Sequence, residues 1–194
     1  MFEFEDSYYK LYTFAKFYLS ILDYLAKYTI PYKGLKDGSH EFEFTADEKF
    51  FEHFQFENDF QGSISVKATL LKKTLVMTLD LEIAGEINVV CDRCLDRFLY
   101  PVEGASTLFI KFGETYEELA DDIIVVPESE NEIKIAQYIY ELILLSFPIN
   151  FIHPDDEDGF STCNEEMMQK LNEHSEKKEI DPRWSELKKL IDNK

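Results

Sequence analysis

Ser63-Ile-Ser-Val-Lys-Ala-Thr-Leu70 and Thr74-Leu-Val-Met-Thr-Leu-Asp-Leu-Glu-Ile83 are the stretches whose reading decides the fold. In the first, Ile64, Val66, Ala68 and Leu70 alternate with Ser63, Ser65, Lys67 and Thr69. In the second, Leu75, Met77, Leu79, Leu81 and Ile83 alternate with Thr74, Val76, Thr78, Asp80 and Glu82. Successive side chains of a strand point to opposite faces, so this period of two belongs to half-buried strands. Lys72-Lys73 marks a turn between the two runs, and Gly85 a further turn before Ile87 and Val89. Two long alternating runs joined by short turns predict an antiparallel meander with one buried face.

The pattern continues outward. Glu41–Phe44 alternates briefly, Phe98–Val102 is extended, and Leu108, Ile110 and Phe112 alternate again. Ile123–Val126 is one more short strand, ended by Pro127. Helical spacing frames these strands. Leu11, Phe14, Ala15, Tyr18, Ile21, Leu22 and Leu25 predict a helix over 8–28, broken by Pro31 and Gly34. Thr45-Ala-Asp-Glu48 fits a capping box for a short helix at 46–54 with Phe50, Phe51 and Phe54 inward. Ser129-x-x-Glu132 fits a second, opening a helix at 131–146 with Ile135, Ala136, Ile139, Leu142 and Ile143 on one side. Pro148 ends it, and residues 148–164 form a loop rich in Pro, Asp and Gly. Residues 165–180 are polar and helical at most. Asp181-Pro182 then starts a short amphipathic helix carrying Trp184, Leu187, Leu190 and Ile191. The fold class expected is α+β: an antiparallel, conceivably barrel-like, sheet with packed helices and a CxxC turn.

The chain has 194 residues, and 28 of them are Phe or Tyr (17 and 11), enough apolar material for a core. Twenty basic residues against 39 acidic ones leave a net charge of −19. Such a surface repels phosphate backbones and anionic lipid, which argues against DNA, broad RNA binding and membrane attachment. Two stretches carry Lys without acids: Lys27, Lys33 and Lys36, and Lys67, Lys72 and Lys73. If RNA is touched, the Lys72-Lys73 tip is the place. No leader is expected, because Met1–Asp6 holds three acids, and no run is long enough to span a bilayer. A cytoplasmic protein is the expectation.

Cys91-Asp-Arg-Cys94 carries the chemistry. In a reducing compartment a close Cys pair is a metal or redox site rather than a structural disulfide. A two-residue spacer lets both thiolates face one tetrahedral ion. Redox pairs favour a helix N-terminus, and here both flanks, Ile87–Val90 and Phe98–Tyr100, are strand-like. A zinc knuckle, unligated thiols in a β-turn and a thiol redox pair all remain open. His153 and Cys163 share one loop and could complete a set of Cys91, Cys94, His153 and Cys163 around a structural Zn²⁺. His40, His53 and His174 are the other histidines. The acidic run Asp155–Asp158 lacks calcium-loop spacing and is a solvated loop. Hydrolase and phosphate-loop motifs are absent from the sequence, so no catalytic residues are expected and an enzyme is not.

Val90-Cys-Asp-Arg-Cys-Leu-Asp-Arg-Phe98 followed by Pro101-Val-Glu103 resembles the bacterial YceD family, whose members carry a C-x-R-C-L-x-x-F stretch ahead of a strand. Ile30-Pro-Tyr-Lys-Gly-Leu35, Val126-Pro-Glu128 with Gln137–Glu141, and His153-Pro-Asp-Asp156 with Asp181–Trp184 are similar to its Bacteroidetes-like branch. The resemblance runs from about Leu22 onward. Residues 1–21 lie outside it as an N-terminal helical extension, the YceD-like α+β domain runs over 22–164, and a polar segment with a C-terminal amphipathic helix covers 165–194. The resemblance implies a non-enzymatic factor that supports accumulation of large-subunit (23S) ribosomal RNA. Partners would be the ribosomal RNA precursor or ribosomal proteins. The charge leaves an acidic adaptor for a basic ribosomal protein as an alternative, and Cys91 with Cys94 leaves a thiol redox protein as another.

Overall fold

A computed structural model of the chain describes residues 24–54 and 61–175. Its centre is a six-stranded sheet in the order β2-β3-β4-β5-β7-β6. The strands are β2 (Gly38–Ala46), β3 (Gly62–Lys72), β4 (Val76–Val90), β5 (Arg97–Gly113), β6 (Glu117–Ala120) and β7 (Ile123–Pro127). β3 and β4 form the expected hairpin, with Leu70 opposite Leu79 and Ala68 opposite Leu81. The period of two places Ile64, Val66, Ala68 and Leu70 with Met77, Leu79, Leu81 and Ile83 in the core. β2 pairs antiparallel with β3. β7 pairs with β5 in parallel, and β6 closes back antiparallel on β7. The α+β class is as expected, and the sheet is open, with β2 and β6 at its edges rather than joined into a barrel.

Contacts divide the described residues into two units: residues 24–54, 61–89 and 99–149, and residues 90–98 with 150–175. In the first unit the helices are α1 (Glu48–His53) and α2 (Ala136–Leu145). α2 buries Ile139, Leu142 and Ile143. An aromatic cluster fills the space around α1. Tyr28 packs edge-on against Phe50 with centroids 4.8 Å apart, and Phe54 stacks on Tyr140 at 4.2 Å. The buried Tyr28 hydroxyl donates to the Thr45 carbonyl at 2.6 Å, so its polar end is satisfied. A second, two-stranded sheet joins β1 (Thr29–Pro31) to β8 (Glu132–Lys134), with Ile30 opposite Ile133.

Several local expectations are corrected by these contacts. The Thr45 box is not used: Thr45 and Ala46 stay in β2, and Asp47 caps α1 by accepting from the Phe50 N–H at 3.1 Å. The Ser129 box is not used either. Residues 132–134 are strand, and α2 starts at Ala136 without a side-chain cap. Ile133 and Ile135 are both buried. That is a period of two, so the β1 partner outweighs the helical pattern there. Gly85 is no turn, since β4 runs through it opposite Ile64; a Cβ there would strike the Ser63 carbonyl and the Ile64 Cα. Lys72 is not a free tip. Its ammonium donates to the Tyr32 and Leu35 carbonyls at 3.0 and 2.7 Å. Of the helix expected over 8–28, the described part ends at Leu25. The rest of it, and the helix carrying Trp184, lie outside the described residues.

Candidate metal centre

The second unit contains α3 (Glu165–Ser175), the turn between β4 and β5, and the loop that leads into α3. Among its described residues only Cys91, Cys94 and Cys163 are buried, with Phe98, Met167 and Met168 packed half-buried around them. The turn holds the CxxC as expected. Leu95 donates its N–H to the Cys91 carbonyl, and Cys91 donates to the Asp96 carbonyl, both at 2.9 Å. Leu95 has φ of 65°, a left-handed conformation that costs a non-glycine residue ~1–2 kcal/mol. It lets the chain reverse within the turn. Asp92 fixes the loop to it: its N–H donates to the Phe151 carbonyl at 2.8 Å, and its carboxylate accepts from the Phe151 N–H at 2.7 Å. Asn164 caps α3 by accepting from the Met167 N–H, and its amide donates to Asp96 at 2.9 Å. Cys163 is thereby held immediately before the helix.

The four residues expected to act together are brought together. One ligand atom from each of Cys91, Cys94, His153 and Cys163 lies within 4.8 Å of all the others. The Cys91 and Cys163 sulfurs are 3.8 Å apart, and His153 Nδ1 lies 3.4 Å from the Cys94 sulfur and 3.8 Å from that of Cys163. A tetrahedral ion with metal–sulfur bonds of ~2.3 Å and metal–nitrogen bonds of ~2.0 Å needs S···S edges of ~3.8 Å and S···N edges of ~3.5 Å. These three distances are close to that size, and the other three lie within 4.8 Å. A disulfide needs sulfurs at ~2.05 Å, and all three cysteines are free thiols. The other described histidines are elsewhere: His40 Nε2 meets the Lys36 carbonyl, His53 packs on the Tyr24 ring, and His174 ends α3.

The electrostatics favour thiolate at Cys91 and the neutral thiol at Cys94. Burial works to raise the Cys91 thiol, but the backbone N–H groups of Cys94, His153 and Arg93, with the His153 ring, outweigh it and bring the thiol down to about 5. Cys94 moves the other way. Burial raises it, the N–H groups of Asn164 and Asp96 oppose that, and the neighbouring Cys91 and Cys163 sulfurs raise it again. Sulfurs this close repel one another as anions. A metal ion among them removes the conflict, so these four residues can hold one. Arg93 donates from Nε to the Cys163 sulfur at 3.1 Å and from its guanidinium to Ser161 Oγ. With a divalent ion bound, three thiolates would leave a net −1, which this guanidinium would offset. Phe98 stacks on the His153 ring with centroids 4.3 Å apart and orients it. Arg93, Phe98, Asp92 and Asn164 were not singled out by sequence reasoning for these roles. Only Asn164, an N-cap residue before a helix, left a local signal.

Residues 79–191 match the family described as "Large ribosomal RNA subunit accumulation protein YceD". The chain belongs to the YceD family. The match covers more than half of the chain and includes all four residues of the centre. YlbN of Bacillus subtilis (strain 168), described as an uncharacterized protein, is 29% identical over 129 residues, which is 66% of this chain and 74% of YlbN. No solved structure matches the chain. Among the described residues no helix of this YceD-family chain is long and apolar enough to cross a membrane.

Proposed function

We propose that this YceD-family chain supports accumulation of large-subunit 23S ribosomal RNA in the cytoplasm, without catalysing a reaction. Family membership carries the reading, through a match that spans the CxxC turn and the His153–Cys163 loop. Its partners are the ribosomal RNA precursor or ribosomal proteins, and neither DNA nor membrane. The family match favours neither the acidic adaptor nor the thiol redox protein as the main activity. Deletion of the gene should lower the ratio of large- to small-subunit ribosomal RNA. An unchanged ratio in both slow and fast growth would reject the reading.

The centre is read as a structural Zn²⁺ site. Three thiolates and one imidazole close a tetrahedron and leave no position for water, unlike hydrolytic zinc sites with three protein ligands. The support is that the described residues of the second unit bury three thiols and nothing else. Polypeptides this small rarely fold on apolar burial alone and use metals or disulfides instead. Metal analysis of untagged protein tests it. About one zinc per chain is expected, and zinc-free protein with three freely titratable thiols would overturn it.

A further inference from the structure

We infer that the groove between β6 and α2 in the first unit is a docking site for a cationic amphipathic segment of a partner protein. The groove holds about 980 Å³ and is an open trough rather than an enclosed cavity. That is the upper end of the ~300–1,000 Å³ of ligand sites, and the open form suits a peptide better than a small molecule. Leu81, Leu108 and Ile124 floor it. Two leucines in its walls are largely exposed: Leu119 on β6 at 55% and Leu145, the last residue of α2, at 84%. Burying one such side chain is worth ~1.5–3 kcal/mol.

The rim selects the charge of the occupant. Glu118, Asp121 and Glu141 line it, and among the described residues no Lys, Arg or His does. The last turn of α2 also lacks a basic residue, so the negative end of the helix dipole opens at the groove beside Leu145 without a cation of its own. Glu141 is four residues before Leu145, on the same helix face. An amphipathic helix or strand with Leu-like anchors flanked by Lys or Arg satisfies the apolar walls, the three carboxylates and the helix end together. β6 is the outer strand of its sheet and all four of its residues are exposed, so its side of the groove is open to an incoming chain. Phosphate would meet the carboxylates unfavourably, which excludes RNA as the occupant. The inference uses only the first unit and stands whether or not the metal centre or the ribosomal role holds.

The test is fluorescence-anisotropy titration of the full chain with a labelled Leu/Lys helical peptide, its Leu/Glu counterpart and a labelled single-stranded oligouridine. Three variants are compared at about 0.15 M salt, where surface charges more than ~8 Å apart are largely screened. Asp121→Lys with Glu141→Lys reverses the rim. Glu157→Lys with Asp158→Lys makes the same change in net charge on an exposed loop of the other unit. Leu145→Ser removes an anchor at constant charge. All five positions are exposed, and equal melting temperatures verify the fold. The Leu/Lys peptide alone should bind. The rim reversal should weaken it at least ~10-fold, the loop reversal less than ~3-fold, and Leu145→Ser ~3- to 10-fold. The inference is overturned if the Leu/Lys peptide does not bind, if the two reversals weaken it equally, or if Leu145→Ser has no effect. It is also overturned if oligouridine binds and Leu145→Ser weakens that binding. A dimer by light scattering that Leu145→Ser dissociates would overturn it too, giving the groove to a second copy.

Discussion

The two units of this chain solve the same problem by different means. The first removes aliphatic and aromatic surface from water: Ile64, Leu70, Leu79, Ile110, Phe50 and Phe51 are fully buried, and the sheet and helix fit around them. Among the described residues the second has no such interior. Its described residues bury three cysteines, and the aromatic and methionine side chains beside them are only half-buried. Apolar burial is non-directional and grows with area, so it suits a large sheet. Coordination is directional and fixes four atoms whatever the area around them, so it suits a turn, a loop and a short helix. The stability of the first unit should therefore follow packing, and that of the second should follow thiol chemistry.

The largest expected effect breaks the comparison outright if it fails. Chelation, or Cys91→Ser, should take zinc to well below one per chain. Site binding of this kind is worth ~10–16 kcal/mol in small peptides. Hydrogen exchange should then lose protection in residues 90–98 and 150–175 while Met77–Ile83 keep theirs. A zinc-free chain whose second unit stays protected would show that the thiols are not its core. The converse substitution is Leu79→Ala in the first unit. It should cost ~2–5 kcal/mol by denaturant unfolding, with zinc content per native chain unchanged.

Two smaller effects sharpen the contrast. Arg93→Gln removes the guanidinium that donates to the Cys163 sulfur. Outer partners of metal ligands are worth ~10–100-fold in affinity, so a competition titration with a zinc chelator should show weakening of that order. His153→Ala should lower zinc content less than Cys91→Ser, because it removes no thiolate. The smallest effect is at Asp47, whose side chain caps α1 and also accepts from the Tyr24 hydroxyl at 2.5 Å. Asp47→Ala should cost ~0.5–2 kcal/mol. Burial pushes this carboxyl up, but the Tyr24 hydroxyl, the Phe50 N–H and Lys27 outweigh it and hold it below its usual value. A carboxyl lowered by folding stabilises above the unfolded value, near ~3.9, and that part is lost as pH falls through the folded value. The difference between wild type and Asp47→Ala should thus shrink only below about pH 4. A difference that shrinks already between pH 7 and 5 would refute the capping account.

Much of this was legible along the chain. The β3–β4 hairpin was readable because strand alternation is a local, period-two property, and Ile64–Leu70 and Met77–Ile83 obey it; Leu75, expected in the inward row, instead lies in the turn between the strands and is exposed. The buried face of α2 was equally readable from its spacing. The four residues that the structure gathers could be picked out because cysteines are few and the CxxC turn admits few completions. The two capping boxes misled for one reason: a Thr or Ser with Glu three residues on competes with β-pairing, and here the partners of Ala46 and Ile133 were already in place in the sheets.

What the sequence determined by itself was the alternation, the helix faces and the identity of the chemical groups, since each depends on neighbours a few residues away. Tertiary structure decided the rest. It set the parallel pairing of β7 with β5 and the short strands β1 and β8, whose partner lies about a hundred residues off, near the other end of the first unit. It gave Gly85 its place inside a strand, where only a hydrogen on Cα clears the Ser63 carbonyl. It also decided that Arg93 would reach Cys163 across 70 positions and that three sulfurs and one imidazole would gather within 4.8 Å of one another. Those are distances between residues remote in the chain, and a pattern with a period of two or 3.6 carries no information about them.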